Sequence, residues 1–155
     1  MYKRKAARLK IIVLGVLLLG VILLLIRCAF VSSDQQIEEV VAEFYGYEQE
    51  GDFANSWDLF HSAMKKRFTK SHYIQDRAHV FMNHFGVETF NFKLGELEKL
   101  DSWKMAKTGP ELKNVYRVAV TQTYKGKYGN FDINQEVFVV EEKGEWKIVW
   151  DYNGQ

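Results

Sequence analysis

The stretch Tyr116-Arg117-Val118-Ala119-Val120-Thr121-Gln122-Thr123-Tyr124 places apolar or aromatic residues at 116, 118, 120 and 124 and mostly polar ones between them. A period of two belongs to a β-strand with one buried face. The same alternation recurs downstream, at Phe131, Ile133, Val137 and Val139, after a connection through Gly126, Lys127, Tyr128, Gly129 and Asn130. It returns at Trp146, Ile148, Trp150 and Tyr152, after a turn at Lys143 and Gly144. Upstream, Phe90, Phe92 and Leu94 alternate, and Leu97 and Leu100 extend that strand past Gly95 toward the loop marked by Gly109 and Pro110, the only proline. These segments predict an antiparallel meander of about four strands.

Helical spacing fills the preceding third of the chain. Ser32 and Ser33, each followed three residues later by glutamine, have the form of a capping box. Ile37, Val40, Val41, Phe44 and Tyr45 then recur at three- and four-residue intervals, with Glu38, Glu39, Glu43 and Glu48 mostly elsewhere. Gly51 and Asp52 break this helix, and Asp52 is placed to cap a second one bearing Phe53, Trp57 and Phe60. The basic run Lys65, Lys66, Arg67 and Lys70 leads to Ser71, a cap for a third helix carrying Ile74, Ala78, Phe81, Met82 and Phe85, with Gly86 as its terminator. Helices followed by a meander define an α+β fold, a curved sheet with helices on one face.

The N-terminus has a different character. Every residue from Ile11 to Ile26 is apolar or glycine, and the run continues through Cys28, Ala29, Phe30 and Val31 with Arg27 as its only charge. About 20 helical residues cross a hydrocarbon core of about 30 Å, so residues 11–31 are predicted to span a bilayer. Lys3, Arg4, Lys5, Arg8 and Lys10 precede the run, which puts residues 1–10 in the cytoplasm by the positive-inside rule and residues 32–155 outside. A cleaved signal has a shorter apolar core of about 7–15 residues and a small-x-small cleavage site, whereas this run ends Leu25, Ile26, Arg27, Cys28. A lipid-modified Cys28 would follow a small residue, and Arg27 is long and charged. As the only cysteine, Cys28 leaves the outer domain no internal disulfide.

Charge is segregated as well. Six of the 21 basic residues and none of the 20 acidic ones lie in the first 31 positions, so the remainder is net acidic by five. An acidic domain lacks the basic footprint that nucleic acid requires. The lipid bilayer is an expected partner, through residues 11–31.

Three short stretches carry a resemblance. Met64-Lys65-Lys66-Arg67-Phe68-Thr69-Lys70-Ser71-His72-Tyr73-Ile74, then Gly86-Val87, then Glu145-Trp146-Lys147-Ile148-Val149-Trp150-Asp151 are similar to the NTF2-like N-terminal domain of low-affinity penicillin-binding proteins. About three helices and a long curved sheet, over nearly all of residues 32–155, resemble the NTF2-like cone fold at large. The resemblance implies a surface domain of a Gram-positive bacterial envelope protein with a non-catalytic spacing or interaction role, and hence an envelope protein as its partner. In those proteins a transpeptidase domain with a Ser-x-x-Lys motif follows, whereas this chain stops at Gln155, so no acyl-transfer chemistry carries over. An assembly component of type IV secretion systems resembles the chain in architecture alone, joining a cytoplasmic tail, one membrane helix and an NTF2-like domain.

Three sets of residues bear on chemistry. His72, Asp76 and His79 share one helical face at i, i+4 and i+7, but that face lies about 200° from the apolar stripe and is predicted to be solvated rather than metal-binding. Cone folds catalyse proton transfers with an inward carboxylate and a hydrogen-bonding acid. Asp132 and Asp151 would be the carboxylates here, yet both alternate with inward aromatic positions and should point out. Tyr45, Trp57, Tyr73, Tyr116 and Trp150 are the candidates to line a ligand pocket, against the alternative that they are core filler. No nucleophile elbow, phosphate loop or metal motif is present, so no cofactor is expected.

Overall fold

The structure, a computed structural model, describes residues 13–21, 32–79, 87, 89–107, 109–126 and 129–151. The chain divides into two units, Met1–Ser33 and Asp34–Gln155. In the first, helix α1 covers residues 13–21, and Val13, Leu14, Val16, Leu17, Leu18, Leu19 and Val21 are all exposed. Among the described residues no helix is long and apolar enough to cross a membrane, and the rest of the 11–31 run lies outside them.

The second unit is α+β. Helix α2 (Ser33–Glu50) buries Ile37, Val40, Val41, Phe44, Tyr45 and Glu48, one stripe at three- and four-residue spacing. Gly51 ends it with φ +74°. Asp52 N–H reaches Tyr47 C=O at 2.8 Å and Gly51 N–H reaches Glu48 C=O at 3.3 Å, the paired bonds of a glycine-terminated helix. Asp52 then caps α3 (Phe53–Asp58) by accepting from Asn55 N–H at 3.1 Å, as its position after Gly51 predicts.

A helix the sequence did not announce follows. Lys65, Lys66 and Arg67 form the last turn of α4 (Ser62–Arg67), where cations complement the helix dipole, and α5 (Lys70–His79) starts one residue before the expected cap at Ser71. Met64 is the only buried residue of α4, too little apolar pattern to read as a helix. Phe81, Met82, His84, Phe85 and Gly86 lie outside the described residues.

The cap of α4 is His61, whose Nδ1 accepts from Ala63 N–H at 3.1 Å while Nε2 faces Glu142 at 3.4 Å. Burial lowers the His61 pKa, outweighing the opposite pull of Glu142, and Lys66 adds to the lowering. A depressed histidine stabilises the fold fully above its unfolded value of about 6.5, and that stability is lost as pH falls below it. Urea denaturation between pH 7.5 and 5.5 should therefore show a decline in stability. His61→Asn, a good cap without a proton to gain, should remove that decline at a cost within about 1 kcal/mol. Burial disfavours the Glu142 charge, but hydrogen bonds from Ser62 and the charges of His61 and Lys143 hold its carboxyl below the usual range, so its contribution fails only at more acidic pH.

Strands β1 (Phe90–Lys104), β2 (Glu111–Gly126), β3 (Gly129–Glu142) and β4 (Glu145–Trp150) pair antiparallel in sequence order. The sheet is curved. Rows across it match the predicted alternation: Leu97–Val118–Val137–Trp150 and Phe90–Tyr124–Phe131 face the helices. The bulge between Leu94 and Leu97 falls at Gly95, where a Cβ would stand 3.2 Å from both Cβ and C=O of Ala119. Lys143 and Gly144 both have positive φ, 57° and 85°, the two-residue turn that matches strand twist. Gly144→Val should cost about 1–2 kcal/mol in chemical denaturation, since a branched residue resists that conformation.

The opposite face of the sheet holds an apolar cluster that strand alternation alone does not predict. Val115, Phe138 and Val149 are buried there, and the Trp103 ring stacks on Phe138 at 3.9 Å. Asn114, with φ 51°, interrupts β2 beside this cluster.

Candidate functional site

Between the helices and the concave face of the sheet lies an aromatic core with one ion pair inside it. Phe44 touches the rings of Tyr45, Phe60 and Trp150 at centroid distances of 5.2, 5.2 and 5.8 Å. Phe60 lies 4.9 Å from Trp150 and 5.1 Å from Tyr73. The ion pair is Glu48 with Arg77. Glu48 is one helical turn beyond Phe44, so the stripe that buries Phe44 carries its carboxylate inward as well, to 3 % exposure.

Three helices converge on that carboxylate. Ser56 of α3 donates its hydroxyl to Oε1 at 2.5 Å, and Tyr73 of α5 donates to the same oxygen at 2.7 Å. Arg77, four residues after Tyr73 and hence on the same face of α5, donates Nε to Oε2 at 2.6 Å and Nη2 to the same oxygen. A carboxylate accepting four hydrogen bonds, two of them from a guanidinium, has its lone pairs engaged by the protein's own donors. Burial opposes the Arg77 charge, but Glu48 and then Tyr73 hold its pKa above the ordinary value. Burial likewise raises the Tyr45, Tyr73 and Tyr124 hydroxyls, with the Glu48 charge adding to each. All three are hydrogen-bond donors that keep their protons: Tyr45 to Gln135 Oε1 at 3.0 Å and Tyr124 to Gln122 Oε1 at 2.8 Å.

Of the five pocket candidates, Tyr45, Tyr73 and Tyr116 are buried in this core, and Trp57 and Trp150 are partly buried against it. Trp57 places its indole N–H on Phe68 C=O at 2.9 Å and its ring beneath Lys65 and Lys70 at 4.8 and 5.4 Å. Tyr116 packs edge-on against Trp146 at 5.5 Å. Asp132 and Asp151 are exposed, as alternation predicts. His72, Asp76 and His79 are exposed on α5, and among the described residues no three His, Cys, Asp or Glu side chains are placed to hold a metal ion.

The inward carboxylate is therefore Glu48, which sequence reasoning grouped with the polar side of its helix. Its signal is present in the spacing, since 37, 40, 41, 44, 45 and 48 form a single stripe. Trp150 Nε1 is buried with no acceptor among the described residues. No protein-family model matches the chain, and no curated protein matches it either.

Proposed function

We propose that the chain is a membrane-tethered NTF2-like domain with a non-catalytic role, an interaction or spacer module for cell-wall or secretion machinery of the bacterial envelope. The observation that carries this reading is the saturation of Glu48. Among the described residues, the one carboxylate buried in the aromatic core is held by Ser56, Tyr73 and Arg77, so the base that a cone-fold isomerase needs is engaged in joining helices. The acidic outer domain argues against nucleic acid as partner.

Support for the tether is the uncharged apolar run over 11–26, the basic residues before it, and the exposed apolar side chains of residues 13–21. In this reading residues 11–31 span the bilayer, 1–10 are cytoplasmic and 32–155 extracytoplasmic. Protease treatment of intact spheroplasts should remove the outer domain; survival of the full chain would overturn the orientation.

In-cell crosslinking of the full-length protein with mass spectrometry tests the role. Recovery of cell-wall synthases or secretion components is the expected result, and absence of any protein partner would contradict it. A second reading, a cone that binds a small molecule and acts as an isomerase-like enzyme, has the Trp150 N–H in its favour, a donor with no acceptor beside the core tyrosines. A retained organic ligand in native mass spectra of the purified protein would favour it.

A further inference from the structure

β4 is the last strand of the sheet, and its outer edge is only partly used. Ile148 N–H donates to Leu59 C=O at 2.9 Å, and Ile148 C=O accepts from His61 N–H at 3.0 Å, so the main-chain groups of Ile148 point away from β3. That direction alternates along an antiparallel strand, so Trp146, two residues earlier, turns its N–H and C=O to the same free side. The Lys143–Gly144 turn demands the same register, with Glu142 and Glu145 as the bonded pair beside it. The segment that pairs with Ile148 does not continue to Trp146. It leads back into α3, which ends at Asp58, and Asp58 C=O is taken by Lys65 Nζ at 2.8 Å.

The open edge at Trp146 lines a groove of about 420 Å³ whose other wall is α2, through Gln36, Glu39, Val40 and Glu43. Trp146 Nε1 donates to Gln36 Oε1 at 3.0 Å, fixing strand to helix. The groove is acidic. Glu145 is matched by Lys147 at 2.7 Å, but Glu39 and Glu43, exposed and one helical turn apart, have no cationic partner among the described residues.

We infer that this groove docks an extended, basic segment of a partner protein, which adds as a short strand at Trp146 and sets Lys or Arg side chains against Glu39 and Glu43. Free main-chain groups supply affinity in strand addition, and side-chain pockets and charge supply specificity. A second copy of this chain is a poor occupant, because its residues 32–155 are net acidic by five, like the groove itself. The inference rests on the interaction-module reading and names the partner's chemistry.

The test uses the full-length protein, isotopically labelled in nanodiscs, with two capped synthetic hexapeptides, alternating Lys-Val and alternating Glu-Val. The Lys-Val peptide should shift the Trp146 main-chain and indole signals and slow exchange of the Trp146 amide. Binding should weaken about tenfold in the double variant Glu39→Lys, Glu43→Lys and fall in high salt, as expected for a charge-complementary contact. Equal binding of the Glu-Val peptide, indifference to the charge reversal, or no protection at Trp146 would overturn the assignment. Capture of the same cellular partners by the charge-reversed variant would overturn the groove alone and leave the interaction reading standing. Failure of the wild type to capture any partner, with Trp146 still protected by the Lys-Val peptide, would remove the cellular reading and leave the groove.

Discussion

Glu48→Ala is expected to lower the stability of the α+β domain by about 3–5 kcal/mol, the range for breaking a buried ion pair by removing one partner. The physical reason is that one side chain satisfies three others. Its loss strands the hydroxyls of Ser56 and Tyr73 and takes the counter-charge from Arg77, whose side chain is only 22 % exposed. Against a total of about 5–15 kcal/mol for a typical domain, that is enough to populate the unfolded state at growth temperature. Tyr73→Phe, which removes one of the four donors and leaves the pair intact, should cost only about 1 kcal/mol. Urea titration monitored by circular dichroism measures both. A Glu48→Ala cost below that of Tyr73→Phe would mean that the network holds nothing together.

Phe44→Ala should be of similar size, about 3–5 kcal/mol, for an apolar reason. Phe44 is fully buried and touches the rings of Tyr45, Phe60 and Trp150, so truncation opens a void that rigid aromatic neighbours close poorly. Phe44→Leu, which keeps most of the volume, should recover more than half of the loss. If calorimetry found the two variants equal, α2 would not be packed against β4 as described.

The meander was legible because the period of two holds along the strands, broken in β1 by the bulge between Leu94 and Leu97, and the turn residues fall between them. Lys143 and Gly144 are the clearest case, since their positive φ values require little else of the sequence. The stripe on α2 was legible for the same reason, apart from Glu48: polarity hid a position that spacing would have assigned to the core. Arg77 was hidden too, because a charge on a short polar helix reads as solvated until its partner is known. Helix α4 was illegible for lack of apolar residues, and the cluster of Trp103 on Phe138 depends on how the sheet bends, which periodicity does not encode. The pocket candidates were chosen as large aromatics, and such residues gather wherever a core is: Tyr45, Tyr73 and Tyr116 are buried in it, and Trp57 and Trp150 pack against it.

In the proposed reading the interior holds the fold and the exterior engages the partners. A variant carrying Glu48→Met, Tyr73→Phe and Arg77→Met replaces the buried polar network with apolar groups of similar length, an exchange that is often neutral for stability. Its circular dichroism and melting temperature report whether the fold is kept, and in-cell crosslinking then reports the partners. Capture of the same partners as the wild type is the predicted result. Loss of those partners by a variant that remains folded would contradict that reading and place the working chemistry inside the core.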